Sequence, residues 1–81
     1  MVVSVKFFGL QRKLARKEHI KIPVSDKTRV TDVLGYLEQQ YPGMPLGEEN
    51  VMVTVNNQIS NRDQLLLEND HIALIPHIGG G

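Results

Sequence analysis

The residues that could most plainly take part in a reaction are at the end of the 81-residue sequence, which closes with Gly79, Gly80 and Gly81. Three glycines have no side chains to pack and lose much entropy on ordering, so we expect a flexible arm over residues 77–81. Fully extended, five residues span about 17 Å. An arm without Cβ atoms at its tip fits a narrow channel in another protein, where the α-carboxylate of Gly81 can react. A frayed end without a role is the competing interpretation.

The other polar side chains form no recognisable catalytic or metal-binding pattern. The chain has no cysteine, which excludes disulfides, thiolate metal sites and cysteine nucleophiles. His19, His71 and His77 lack metal-ligand spacing, and we interpret Glu48 and Glu49 as solvated loop carboxylates. No glycine-rich phosphate loop precedes a helix. We therefore predict no metal site and no bound cofactor.

Charge is distributed unevenly along a chain whose net charge is zero. Residues 1–29 hold eight basic residues and two acidic ones, a net charge of +6, and residues 30–81 carry the compensating −6. A basic face for an acidic partner or for nucleic acid is one interpretation. We favour two solvated faces that attract each other within the fold, and the 5% aromatic content argues against base stacking.

The sequence also bears on the compartment. No apolar run approaches the roughly 20 residues of a membrane span. The first apolar residues precede Lys6 and the basic stretch, which is the reverse of a signal peptide. We expect a cytoplasmic protein without a membrane partner.

Two segments near the beginning of the chain have the pattern of strands that bury one face. Residues 2–8 and residues 19–24 both alternate apolar with polar side chains. Gly9 ends the first segment, and residues 10–17 are mostly polar and basic, which predicts a loop. The two strands should form a hairpin.

Residues 30–41 have the pattern of a helix. Apolar side chains recur at positions i, i+3, i+4, i+7 and i+11 from Val30, which makes one stripe. Thr28 is the predicted N-cap, and Asp32 complements the positive end of the helix dipole. Pro42-Gly43 ends the helix.

The last third of the chain contains further strands. Residues 51–55 and 71–76 alternate again, and the turn signal Asn56-Asn57 is followed by a short strand at 58–59. The order ββαβ(β)β predicts one two-layer α+β domain over residues 1–76. Its predicted core consists of Val3, Val5, Phe7, Ile20, Ile22, Val33, Leu34, Leu37, Val53, Val55, Ile72 and Leu74.

Several short motifs stand along almost the whole chain: Val5-Lys6-Phe7-Phe8-Gly9 with Arg12 and Leu14, the helix from Val30 to Tyr41 before Pro42, Val55-Asn56 before a turn, and Leu66, Asp70 and residues 72–76 before the glycines. Together they resemble the MoaD/ThiS family of ubiquitin-like sulfur carriers, especially its molybdopterin synthase small-subunit branch. Pro76-His77 replaces a Pro-Pro pair frequent in that family, so we expect a looser exit for the tail.

The resemblance implies a β-grasp, ubiquitin-like fold with a mixed four- to five-stranded sheet on one main helix. It also implies a protein co-substrate and not an enzyme. A partner related to ubiquitin-activating enzymes would use ATP to adenylate the carboxylate of Gly81, next to Gly80. A sulfur donor would then replace AMP and leave a thiocarboxylate. The sulfur would serve molybdopterin biosynthesis, with the large subunit of molybdopterin synthase as a further partner.

A partner-docking patch is predicted on the outer face of the sheet. Strand parity sends Phe8, Met52 and Ile75 to the face opposite the core, and the resemblance adds Leu66. Arg12 is expected at the edge of the patch as a charged contact, and Gly79 within the arm that the partner encloses. Exposed apolar side chains near the tail have no other evident purpose.

Other functions remain open at this point. A modifier that forms isopeptide bonds with lysines would use the same tail, and so would a sulfur carrier for thiamin synthesis or tRNA thiolation. A non-covalent β-grasp binding module, with its basic first third on RNA or an acidic partner, would not need the tail. The sequence does not distinguish the pathways.

Overall fold

The computed structural model describes residues 1–77, which contain five strands and two helices. Their bounds are β1 Val2–Phe7, α1 Gly9–Ala15, β2 His19–Pro23, α2 Val30–Gln40, β3 Val51–Val55, β4 Gln58–Ile59 and β5 His71–Pro76. The strands form one sheet in the order β2-β1-β5-β3-β4. Only β1 and β5 run parallel, and the other neighbours are antiparallel.

The core lies between one face of the sheet and α2. Eleven of the twelve predicted core residues are buried, and Ile20 is half-buried against them. The apolar stripe of α2 enters the same cluster through its four buried residues. The strands and the main helix are therefore confirmed, and their arrangement is the predicted mixed sheet on one main helix. The core also contains Val30, which belongs to the predicted helical stripe but not to the list of predicted core residues. Four further core residues, Ala15, Met44, Leu46 and Leu66, were not assigned to the core by the strand and helix patterns.

Helix α1 corrects the prediction of a loop over residues 10–17. Its buried positions are Gln11 and Ala15, one turn apart, so the face that packs inward contains a polar and a small residue. A pattern of large apolar residues therefore could not reveal it. Gln11 Nε2 donates to the Pro45 carbonyl at 2.8 Å, and a seven-residue helix needs such tertiary contacts to be stable.

The beginning of α2 also differs from expectation. Arg29, not Thr28, is the N-cap residue. The Thr28 hydroxyl instead accepts a hydrogen bond from the Ser25 amide at 3.0 Å, which stabilises the preceding turn. Asp32 lies in the first turn as predicted, and its Oδ2 accepts from the Arg29 amide at 2.8 Å. Within residues 1–77 no helix has the length and apolarity needed to span a membrane.

Candidate functional site

The predicted reactive residues Gly79, Gly80 and Gly81 lie outside the described residues, but the point from which they leave the domain is well defined. Strand β5 ends at Pro76, which pairs with Val51 of β3. The His77 amide donates to the Asn50 carbonyl at 3.2 Å, and its ring Nε2 lies 3.0 Å from the Glu48 carbonyl. His77 thus holds the root of the tail against the segment before β3.

Helix α1 begins beside the same point. Gly9 has φ +54°, and a Cβ built on it would lie 3.0 Å from Pro76 Cγ. A glycine is needed there for both reasons, since a side chain would meet the proline ring and the backbone lies in the left-handed region. The root of the tail is therefore bordered by α1 and by the segment at residues 48–50.

Three of the predicted docking residues share the outer face of the sheet. Met52 and Ile75 are directly paired across β3 and β5, and both are half-buried. Phe8 follows β1 in extended conformation, and the Lys6 ammonium lies 5.1 Å from the centroid of its ring, on the outer face. Phe8 and Ile75 line one concavity of about 670 Å³. This apolar surface lies at the end of the sheet from which the tail departs.

Leu66 does not belong to this surface. Its side chain is 1% exposed and lies in the core cluster, so the prediction that it contributes to partner docking is wrong. The backbone explains the burial. The Leu66 amide donates to the Thr28 carbonyl at 2.9 Å, and Leu65 pairs with Arg29, which seats the segment against the beginning of α2.

Ile59 is the outer-face residue that sequence reasoning missed. It is 76% exposed and pairs with Thr54, whose side chain lies on the same face as that of Met52. The signal was present in the turn. A two-residue loop at Asn56-Asn57 pairs Val55 with Gln58, and therefore Thr54 with Ile59. We call Phe8, Met52, Ile59 and Ile75 the outer apolar patch.

Arg12 is exposed on α1, whose first residue, Gly9, lies against Pro76 at the root of the tail. The contact of Arg12 with a partner stays a prediction. The polar side chains elsewhere offer little catalytic chemistry. Ser4 Oγ lies 2.7 Å from His71 Nδ1, but no carboxylate within residues 1–77 is hydrogen-bonded to that imidazole. The neighbouring Asp70 carboxylate accepts instead from Asn56 Nδ2 and the Leu67 amide. The described part of the chain also holds no cluster of three residues able to bind a metal ion.

Comparison with known proteins assigns the family. The family model of the ThiS family matches residues 5–81, which is nearly the whole chain and includes the glycine tail. The chain belongs to the ThiS family. This confirms the resemblance that the motifs at both ends and in the middle of the sequence indicated.

Individual relatives are similar over nine tenths or more of their length. The molybdopterin synthase sulfur carrier subunit of Mycobacterium tuberculosis is 29% identical over 80 residues, which cover 98% of this chain and 96% of the relative. A protein of the same name from Drosophila erecta is 28% identical over 81 residues, covering 98% and 90%.

Solved structures confirm the ubiquitin-like β-grasp fold. SAMP1 from Haloferax volcanii superposes with a TM-score of 0.86 at 20% identity, and all of both chains are covered. A chain from the complex of subunits 1 and 2 of the molybdopterin-converting factor of Helicobacter pylori gives a TM-score of 0.68 at 24% identity, again over both whole chains.

Proposed function

We propose that this protein is a sulfur carrier whose reactive group is the α-carboxylate of Gly81. The observation that carries the proposal is the ThiS-family match, which extends through the three terminal glycines. Support also comes from the names of the curated relatives, which are sulfur carrier subunits of molybdopterin synthase. Molybdopterin biosynthesis is therefore the proposed destination of the sulfur.

The proposed chemistry takes place in partner proteins. A carboxylate oxygen of Gly81 attacks the α-phosphorus of ATP in an activating enzyme, and pyrophosphate leaves. The resulting acyl-adenylate has a good leaving group, which a free carboxylate lacks. Sulfur at the oxidation level of hydrosulfide attacks the acyl carbon, the bond from that carbon to the AMP oxygen breaks, and the thiocarboxylate remains. If the sulfur comes from a persulfide, the first product is an acyl disulfide. A second thiol then cleaves its S–S bond, releases the thiocarboxylate and forms a disulfide with the donor. This chain contributes the acyl group and its delivery, and the partner holds the nucleotide.

Docking and delivery are separate tasks in this scheme. The outer apolar patch offers a surface for the activating enzyme, and afterwards for a large subunit that receives the sulfur. Its position at the tail end of the sheet supports this use, because a partner seated there lies within reach of the four residues beyond His77, which span at most about 14 Å. Apolar side chains that gather around one point on a small domain commonly mark an interface.

Mass spectrometry of the intact protein tests the carrier function. After incubation with the activating enzyme of the same organism, ATP and a sulfur donor, the C-terminal peptide should gain the mass difference between sulfur and oxygen. A Gly81 deletion and an added C-terminal alanine should fold normally but fail to support exchange of pyrophosphate with ATP. One residue shifts the acyl carbon by about 3.5 Å, and a misplacement of about 1 Å can cost about 100-fold in rate.

Gly80→Ala should be severely impaired and Gly79→Ala less so. Gly35→Ala is the matched control, since a Cβ at this helical position has no atom within 4 Å. That variant should react like wild type. Thiolation of the extended variant at the wild-type rate, or modification of a side chain, would contradict the proposal. Conjugates to lysines that disappear with Gly81 would instead identify a protein modifier.

A further inference from the structure

The exposed side of α1 combines positive charge with apolar surface. Gln11 and Ala15 face the core, and at about 100° per residue Lys13 points almost directly away from them. Leu10 and Leu14, spaced by four, form one flank and are 52% and 45% exposed. Arg12 lies on the other flank, and Arg16 is the C-cap residue that follows the last turn of α1; both are exposed. We call these five side chains, Leu10, Arg12, Lys13, Leu14 and Arg16, the α1 surface.

The basic side chains of the α1 surface form no ion pair with a carboxylate in the part of the chain that the structure describes. The single side-chain ion pair among residues 1–77 joins Arg62 Nε and Glu48 Oε1 at 3.8 Å and includes no residue of α1. The prediction was that acidic residues of the same fold attract the basic first third of the chain. On this helix no ion pair supports it. Positive side chains are concentrated there without a counter-charge in contact.

The α1 surface borders the root of the tail but differs from the outer apolar patch. Gly9, the first residue of α1, lies against Pro76, the last residue of β5. Ala15 belongs to the core cluster, so α1 packs on the core side of the sheet, whereas the outer apolar patch lies on the other side. A protein that encloses the tail must close around this end of the domain and therefore meets both surfaces.

We infer that the α1 surface binds an acidic region of the activating enzyme, with apolar side chains of that enzyme against Leu10 and Leu14. The inference rests on the proposed function, because it takes the tail-enclosing enzyme as the partner. Opposite charge speeds encounter and fixes orientation, and it acts in addition to the outer apolar patch. A protein fits better than RNA, since two exposed leucines gain nothing from phosphates and α1 has no aromatic side chain on which bases could stack.

Two matched charge reversals test this inference. Lys13→Glu reverses the charge in the middle of the exposed side of α1. Lys27→Glu makes the same change in an exposed turn that follows β2. The last residues of β2 pair with the first residues of β1, so this turn lies at the opposite end of the sheet from the tail. The readout is the rate of ATP–pyrophosphate exchange by the activating enzyme, measured against carrier concentration at several NaCl concentrations.

We expect Lys13→Glu to raise KM about tenfold at low salt with kcat within about twofold, and to flatten the salt dependence of KM. Lys27→Glu should change KM less than about twofold. Leu14→Ala keeps a strong helix former and should raise KM about threefold. Matching amide NMR spectra of the variants would show that α1 is still folded.

Each outcome decides the matter. Equal KM values for the two charge reversals would overturn the role of α1 and leave the carrier function intact. Loss of binding to a uridine 20-mer in Lys13→Glu, with unchanged exchange kinetics, would assign the α1 surface to RNA and also overturn it. A wild-type protein that supports no exchange at all would remove the proposed function, and the inference with it.

Discussion

At the scale of single residues, His77 has a role that the comparison with the family pattern did not predict. Its place in the chain suggested a looser exit for the tail, because the family often has a second proline there. The structure shows instead two hydrogen bonds from this residue to the segment at residues 48–50. The Glu48 carbonyl can only accept, so the ring must donate from Nε2–H, and both the matching neutral tautomer and the imidazolium can do so.

His77→Ala should lower kcat/KM for adenylation of the carrier by about fivefold, because one ring hydrogen bond worth about 1 kcal/mol no longer orients the tail. His77→Gln should recover most of the loss, since its amide can donate to the same carbonyl. The measurement is pyrophosphate exchange, with the thermal midpoint as a control for folding. Equal rates for both variants and wild type would show that His77 has no part in positioning.

At the scale of elements, the β3–β4 turn determines which side chains reach the outer face. Asn56 and Asn57 have φ of +51° and +69°, as a two-residue type I′ turn requires. Asn56 also accepts from the His71 amide through Oδ1 at 2.9 Å and donates to Asp70 Oδ1 at the same distance. The turn is therefore tied to the beginning of β5, and this link fixes the register that places Ile59 outward.

Asn57→Val should lower the free energy of unfolding by about 1–2 kcal/mol, because a β-branched residue is strained at positive φ. Asn57→Gly should be neutral or slightly stabilising, since glycine adopts this conformation freely. Urea denaturation of the two variants measures the difference. If both variants unfold at the same urea concentration as wild type, the turn does not impose this constraint.

Ile59→Asp should weaken binding to the activating enzyme by at least about tenfold, since a charge would be buried in an apolar contact. Because the residue is 76% exposed, the stability of the free protein should hardly change. Leu67→Asp is the control, as Leu67 is 68% exposed but lies outside the outer apolar patch. Isothermal titration with the enzyme measures the affinity. Equal losses in the two variants would remove Ile59 from the interface.

At the scale of the whole molecule, a small core leaves little stability to spare. A domain of 81 residues has a net stability of about 4–12 kcal/mol, so one large cavity removes much of it. Burial differs sharply between neighbouring residues in the three leucines at 65–67. The middle leucine is 1% exposed, and its neighbours are 45% and 68% exposed.

Leu66→Ala should cost about 2–5 kcal/mol of unfolding free energy through the cavity it leaves in the core. Leu65→Ala should cost less than about 1 kcal/mol, because its side chain is already half in water. Chemical denaturation of both variants separates a core residue from a docking residue at position 66. A small loss for Leu66→Ala would contradict its place in the core.

Most of the fold could be predicted because large apolar residues repeat at the period of each element. The four longer strands and α2 bury one face, and burial of that face is what the pattern records. The family was also evident, since the motifs along the chain are local in sequence, and the glycine tail is equally local, so that it supplied the proposed reactive group. Eleven of twelve predicted core positions are buried for the same reason.

Where apolar residues do not repeat at a helix or strand period, only the tertiary structure decides which element forms and which side chains are buried. Helix α1 is too short and too polar on its buried side to be recognised, and it exists because Gln11 and Ala15 find partners elsewhere in the chain. The positions of Leu66 and Ile59 were missed for a related reason: Leu66 was predicted on the docking patch but lies in the core, and Ile59 was assigned to neither face but lies on the outer one. An apolar residue outside a repeating pattern carries no information about the direction of its side chain. Here the hydrogen bond from the Leu66 amide to the Thr28 carbonyl turns Leu66 inward, and the register of the β3–β4 hairpin turns Ile59 outward.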